Sequence, residues 1–188
     1  MENSVYSASA ATIHFETHAT SLDNESGVAS GHYDVALSPL GERQAAELGL
    51  RYATAPLAAV FCSDLQRSCR TAEIAFASRR APVFQDARLR ECDYGELTRH
   101  PVAEIDQQRT SRIHSPFPGG ESYEQCLRRV AAFLAERKQP SFNGTTILVI
   151  GHRATWYALE HELAARPLED VIAAPWRWQP GWTYRLHW

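Results

Sequence analysis

The sequence has no apolar run approaching the roughly 20 residues that a membrane-spanning helix needs; its longest, TTILVIG at 145–151, is far shorter. It has no basic excess either. Nineteen lysines and arginines face 22 aspartates and glutamates, a formal net charge of −3. That balance speaks against a nucleic-acid binder but leaves room for a small anionic substrate in a locally positive pocket. The four cysteines, Cys62, Cys69, Cys92 and Cys126, have no CxxC spacing. Neither a disulfide framework nor a zinc site is expected, and reduced thiols in a cytoplasmic protein are the default. The N-terminal stretch carries Glu2 in place of a basic n-region and has no apolar h-region, so residues 1–11 are expected to be a loosely held start and not a signal peptide. Repeats and low-complexity tracts are absent. Residues 12–188 then form one domain, long enough to bury a sizeable core.

Short apolar runs alternate with longer helical patterns. ATIHF (11–15) reads as a strand, and SPLGERQAAELGLRYA as a helix with Ser38 as N-cap. LAAVFC is a second strand, followed by the helical SDLQRSCRTAEIAFAS. PVFQDARL reads as a third strand or extended segment, and HPVAEIDQQR as a short helix. SPFPGG (115–120) is a rigid loop, and ESYEQCLRRVAAFLAERK is an amphipathic helix in which Ser122 and Gln125 fit a capping box. TTILVI is a continuous β-branched run, the pattern of a strand covered on both faces. A helix, TWYALEHELAA, follows, and WTYRLHW closes the chain as a strand that fits an antiparallel edge. Alternating βα units argue for an α/β fold, a three-layer α/β/α sandwich with a mostly parallel central sheet.

In open α/β sheets, ligands bind outside the carboxyl ends of the strands. His18 follows the first strand. Ser63 and, one helical turn on, Arg67 follow the second. Glu91 follows the third, and His152 the fourth. Each alone is more often structural, but one chemically competent group after each of four strands is a pattern. Two imidazoles, a fixed cation and a carboxyl group suit phosphoryl transfer. One neutral imidazole attacks phosphorus, the second and the arginine stabilise charge on the equatorial oxygens, and the carboxyl group moves the proton of the leaving oxygen and then of water. His14 and His18 lie roughly 13 Å apart on a strand, too far to share an ion, so no metal and no cofactor is expected.

These residues resemble the motifs of the histidine phosphatase superfamily, the phosphoglycerate-mutase-like fold. THATSLDN is similar to its first motif, with His18 as the histidine, Ser21 as the hydroxyl residue and Asn24 as the asparagine. LSPLGERQAAELG is similar to the following helix, and FCSDLQRSCRTAEIA matches at Ser63, Leu65, Arg67, Thr71 and Ala72. LRECDYGEL resembles the segment that carries the acid, which puts that role on Glu91. PFPGGESYEQCLRRV resembles the Pro-Gly-Gly-Glu-Ser loop and helix, and ILVIGHRAT carries the second histidine, His152. The resemblance covers nearly the whole chain, in order. It implies catalysis by His18, Arg67, Glu91 and His152, with Ser21, Asn24 and Ser63 at the phosphate or substrate.

One departure matters. The family's first motif is Arg-His-Gly, and Thr17 and Ala19 stand here in place of its arginine and glycine. That arginine grips the transferred phosphate, and loss of one such donor costs about 10² to 10³ in rate. Arg153, directly after His152, Arg70 and His32 are the candidates for replacement. Glu16, on the face of His14 and His18, either orients an imidazole or is satisfied by backbone donors. The loop PFPGGES offers backbone N–H groups and the aromatic Phe117 to a substrate. Tyr94, Trp156, Trp176 and Trp178 are candidates for an apolar lip, and the tail APWRWQPGW for a pocket wall or a contact with a second copy of the chain. The expected activity is metal-independent hydrolysis of a small-molecule phosphomonoester through a phosphohistidine. The alternatives are a catalytically impaired relative that binds a phosphorylated ligand, phosphate or a protein partner, and one repurposed for other chemistry. Neither nucleic acid nor membrane is an expected partner.

Overall fold

Ile147, Leu148, Val149 and Ile150 are all without solvent exposure, because their strand lies at the centre of the sheet and is covered on both faces. In the computed structural model, which describes residues 9–78 and 81–188, five strands form one sheet: β1 (Ala10–Thr17), β2 (Leu57–Cys62), β3 (Val83–Gln85), β4 (Thr146–Gly151) and β5 (Trp182–His187), in the order β3-β2-β4-β1-β5. β1, β2 and β3 all run parallel to the central direction set by β4, and β5 pairs antiparallel with β1 at one edge. Three layers and a mostly parallel sheet result.

The helices are α1 (Leu22–Glu25), α2 (Pro39–Arg51), α3 (Gln66–Phe76), α4 (Val102–Gln108), α5 (Tyr123–Arg137), α6 (Arg153–Ala164) and α7 (Leu168–Ala173). Period-two alternation divides the core. Ile13, Phe15, Phe61, Ile147 and Val149 meet Val130 and Phe133 of α5, Leu159 of α6 and Ile172 of α7. Val60, Cys62, Leu148 and Ile150 meet Leu48 of α2 and Cys69, Ala72 and Phe76 of α3 on the other face. The two stretches read as capped helices start as their sequence dictates. Ser38 accepts from Gly41 N at 3.1 Å with Pro39 at the first helical position, and Ser122 and Gln125 form a reciprocal capping box.

Some expectations are displaced. Residues 1–8 lie outside the described residues, but Ala10 and Ala11 of the expected loose start are buried in β1. The third strand is only three residues long, because Asp86 accepts from Arg88 N at 3.0 Å and turns the chain into a single 3-10 turn. Phe117 does not face the substrate side of its loop. It is 1% exposed and sits edge-on to Tyr94 and Tyr123 in the core. Trp156 likewise packs in the core, against Tyr157, Trp176 and Trp182. All four cysteines are free and buried. Among the described residues, no helix is long and apolar enough to cross a membrane.

Candidate active site

The carboxyl ends of β1 and β4 are tied together, and this brings the two histidines side by side. His18 N donates to Gly151 O at 2.9 Å, and the His18 and His152 rings lie 4.9 Å apart, tilted by 55°. The chain after His18 is then pinned from three sides. Ala19 N donates to Thr71 Oγ1 of α3 at 3.0 Å, Thr20 N to Gln44 Oε1 of α2 at 2.9 Å, and Ser38 N to Thr20 O at 3.0 Å. Gly41 is required here: a Cβ on it would stand 2.0 Å from Thr20 O, so the first turn of α2 reaches the loop after His18 only without a side chain.

A hydrogen bond settles the tautomer of the first ring. His18 Nδ1 lies 2.7 Å from Ala19 O. A carbonyl only accepts, so Nδ1 carries the proton and Nε2 of the neutral ring keeps its lone pair. Burial, then the Arg67 guanidinium, pushes the His18 pKa down from 6.5 to about 3, against the weaker opposite pull of the Ala19 carbonyl. His152 is 1% exposed, and burial followed by Arg67 and His18 hold it neutral as well. Its Nε2 lies 2.6 Å from Ser63 Oγ, while Nδ1 is buried with no partner among the described residues.

Arg67 is 2% exposed. Nη1 donates to Tyr33 O at 3.1 Å and Nη2 to Gly31 O at 2.8 Å, so the loop after α1 fixes its fork. Glu91 sits on the first turn of α6, where its carboxylate accepts from Cys92 N at 2.8 Å, Arg153 N at 3.2 Å and Ala154 N at 3.1 Å. These four residues line a single cavity of about 510 Å³, within the usual size of a small-molecule site. Asn24, Val28, Ala29, Ser30, Gly31 and Tyr94 also border it, and Arg153, Trp176 and Trp178 complete the expected members of its wall.

Three expected site residues are elsewhere. Ser21 is fully buried and caps α1, with Asn24 N at 3.2 Å and Asn24 Oδ1 at 3.0 Å from its hydroxyl, so it sits behind the wall and holds Asn24, which borders the cavity. Ser63 is fully buried beneath His152 and touches the imidazole, not the cavity. His32 gives Nε2 to Glu91 O at 2.8 Å, between Asp93 and Glu121, and so buttresses the acid's backbone. Arg70 is half exposed and pairs with Glu73 and Glu42. It does not border the cavity.

Thr17 faces Trp178, whose Nε1 donates to Thr17 Oγ1 at 3.2 Å. Glu16 is 2% exposed and satisfied by side chains, not by backbone or an imidazole: Tyr52 Oη donates at 3.1 Å and Arg51 Nη2 at 3.0 Å. Arg51, Glu47 and Asp106 border the cavity and went unrecognised in the sequence. Their spacing on α2 and α4 is that of ordinary exposed helix charges, so no local signal marks them. Cys92, Glu121 and Cys126 also come within 4.8 Å of one another. Arg129 clamps both oxygens of that glutamate, at 2.9 and 2.8 Å, and its charge opposes a cation there.

The chain as a whole matches known proteins. The model of the histidine phosphatase superfamily (branch 1) matches residues 13–183. A 2,3-bisphosphoglycerate-dependent phosphoglycerate mutase from Cytophaga hutchinsonii is 29% identical over 166 residues, 82% of this chain and 78% of that protein. "Probable phosphoglycerate mutase GpmB" from Proteus mirabilis is 36% identical over 112 residues, and there the match spans 55% of this chain and only 52% of the relative. Among solved structures, a mycobacterial glucosyl-3-phosphoglycerate phosphatase in complex with VO3 superposes with a TM-score of 0.76 at 23% identity, covering 88% of this chain and 87% of that one. The α-ribazole phosphatase of Shigella flexneri gives 0.75 at 23% identity, covering 85% and 83%. At such identities the structures attest the fold. The family match runs through both histidines, Arg67 and Glu91, and the chain belongs to the histidine phosphatase superfamily, branch 1.

Proposed function

We propose that this protein is a phosphatase that hydrolyses a small-molecule phosphomonoester through a phosphohistidine on His18. The observation that carries the reading is the His18 ring itself: Nδ1–H is committed to Ala19 O, so the Nε2 lone pair is the free nucleophile, 4.9 Å ring-to-ring from a second neutral imidazole.

Nε2 attacks phosphorus and the P–O ester bond breaks. Arg67 and His152 Nδ1–H stabilise the equatorial oxygens, and the departing alkoxide takes a proton from Glu91. Water then attacks the phosphohistidine and gives its proton to Glu91, and the P–N bond breaks to release phosphate and restore the neutral ring. These side chains supply the nucleophile, the charge and the proton for both steps. The cavity is several times larger than a phosphoryl group needs, so the alcohol portion is bound as well. Relatives named as mutases exist beside those named as phosphatases. The short chain favours hydrolysis, because the mutases of this fold carry longer insertions over the site.

The test is a rapid quench with a ³²P-labelled phosphomonoester. Acid-labile, base-stable label on the wild type and none on His18→Ala is the expected result. Absence of label from the wild type during turnover, or its persistence in the variant, overturns the mechanism. One observation favours a second reading. Thr17 stands where the family motif has arginine and is occupied with Trp178, as in a relative that holds a phosphorylated ligand without cleaving it. Phosphate binding with no turnover across a broad panel of esters would decide for that reading.

A further inference from the structure

Arg153 stands beside the acid and leads away from the phosphoryl site. Its backbone N–H donates to Glu91 Oε2 at 3.2 Å, and its side chain then follows the cavity wall to Asp106, where Nη1 donates to Oδ1 at 3.0 Å. The guanidinium carbon lies 5.7 Å from the centre of the Tyr157 ring and 5.9 Å from that of Trp176. In the mechanism above, Arg67 marks the phosphoryl oxygens and Glu91 the leaving oxygen. Whatever is attached to the leaving oxygen therefore meets Arg153.

Charge in this lobe does not cancel. Arg109 Nε also lies 3.3 Å from Asp106 Oδ1, so two guanidinium groups share one carboxylate and one positive charge is left over. Asp106 uses Nη1 of Arg153, but Arg153 Nε is buried with no hydrogen-bond partner among the described residues. The neighbouring wall is Val28, Tyr94, Val102 and Ile105, an apolar setting in which an unbalanced charge acts more strongly than in water. Arg153 borders the cavity with its side chain 20% exposed, so the part of the guanidinium that is not buried meets what enters, and such a fork suits a carboxylate or a phosphate.

We propose that Arg153, backed by Arg109, is an anion subsite for the leaving group, so that the preferred substrate is a phosphomonoester whose alcohol carries a second anionic group close to the ester oxygen. This rests on the phosphatase reading. It also gives Arg153 a role different from the missing first-motif arginine, which would grip the phosphoryl group that is transferred.

Two matched pairs of substrates test it. One is 2-phosphoglycolate against the phosphate ester of glycolamide, the other 1,3-propanediol bisphosphate against the monophosphate. The wild type is expected to prefer the anionic member at least tenfold in kcat/KM in one pair, and which pair shows it separates carboxylate from phosphate. Arg153→Met should bring that preference to within about threefold. Asp106→Asn, which removes the carboxylate charge that Arg153 and Arg109 share, should raise it at least threefold and serves should Arg153→Met fail to fold. No preference in either pair overturns the proposal. So does an equal loss on charged and neutral members in Arg153→Met, which would assign Arg153 to the transferred group, or an unchanged preference in Asp106→Asn. If nothing is turned over, the phosphatase reading fails by itself. Phosphonate analogues of the same pairs, read as Kd by calorimetry, then decide the subsite on the same ratios.

Discussion

Ser63 Oγ lies 2.6 Å from His152 Nε2, and the tautomer of the second histidine depends on that contact. If the hydroxyl donates, the proton of the neutral ring sits on Nδ1, the atom with no other partner, and the ring offers a donor to an anion. The opposite tautomer would turn a lone pair toward the phosphoryl oxygens and repel them. An anion in the site selects the first arrangement, and Ser63 is what makes it available. On the phosphatase reading proposed above, Ser63 acts as a positioning residue.

Ser63→Ala removes this partner and leaves Nε2 buried beside a methyl group. A buried polar atom without a partner costs about 1–3 kcal/mol, and part of that cost falls on the transition state. We expect kcat/KM to drop about tenfold, mostly in kcat, with the fold unchanged by circular dichroism. The ¹⁵N shifts of His152 should show the Nε2–H form gaining population. An unaltered tautomer with unaltered kcat would remove the role assigned to Ser63.

Both buried imidazoles tie stability to pH. The folded His18 pKa, about 3, lies below its unfolded value of 6.5, and His152 is shifted in the same direction. Between those limits the unfolded chain binds more protons. The stabilising contribution is therefore complete above about pH 6.5 and is lost as pH falls toward 3, with a slope of at most about 1.4 kcal/mol per pH unit for each ring. His18→Gln should flatten the fall of Tm between pH 6.5 and 4.5 relative to the wild type. Parallel curves would mean that the ring is not desolvated as the geometry requires.

Much of this site is legible in the sequence because it sits on strand ends. His18, Arg67 and His152 follow strands whose apolar runs are plain, Glu91 follows a three-residue strand and a 3-10 turn, and the strand-end rule gathers all four at one rim. β4 is legible for a related reason, since a run covered on both faces has no polar alternation to confuse it. What is missed depends on how helices lie over the sheet. Asp106 borders the site only because α4 folds across the cavity, and Arg51 only because α2 places its last turn against Glu16. Ser63 and Ser21 have the right chemistry for a phosphate, and backbone geometry turns both inward. No residue spacing encodes that turn.

Glu16 makes its own prediction. Its carboxylate is 2% exposed and held by Tyr52 and Arg51. Arg51→Ala leaves a buried charge held by the Tyr52 hydroxyl in place of an ion pair. Breaking a fully buried pair costs about 3–5 kcal/mol, and the partial exposure of Arg51, at 37%, lowers this to about 1–3 kcal/mol. Urea denaturation should show a lower midpoint at pH 7. Glu16→Gln combined with Arg51→Ala should recover part of the loss, because the uncompensated charge is gone. Failure of the second change to recover any stability would mean that Arg51 acts by packing and not by charge.

Thr17→Arg tests the first-motif arginine that the resemblance implies. Thr17 ends β1 directly before His18, and its hydroxyl is engaged by the indole N–H of Trp178, a side chain that is 61% exposed. An arginine there displaces only that exposed contact, so the change is cheap for the fold. Its guanidinium would join Arg67 at the phosphoryl oxygens, in a cavity whose other arginines, Arg51 and Arg153, are paired with Glu16 and Asp106. A preorganised donor of this kind is worth about 10² to 10³ in rate when it is lost. Restored without the evolved surroundings, it should return a smaller gain, about tenfold or more in kcat/KM. The gain should be the same for charged and uncharged alcohols, because the phosphoryl group is common to both. A gain confined to one class of leaving group would place residue 17 on the alcohol side of the cavity. No gain at all would mean that Arg67 and the two imidazoles already hold the phosphoryl group as firmly as this chemistry requires.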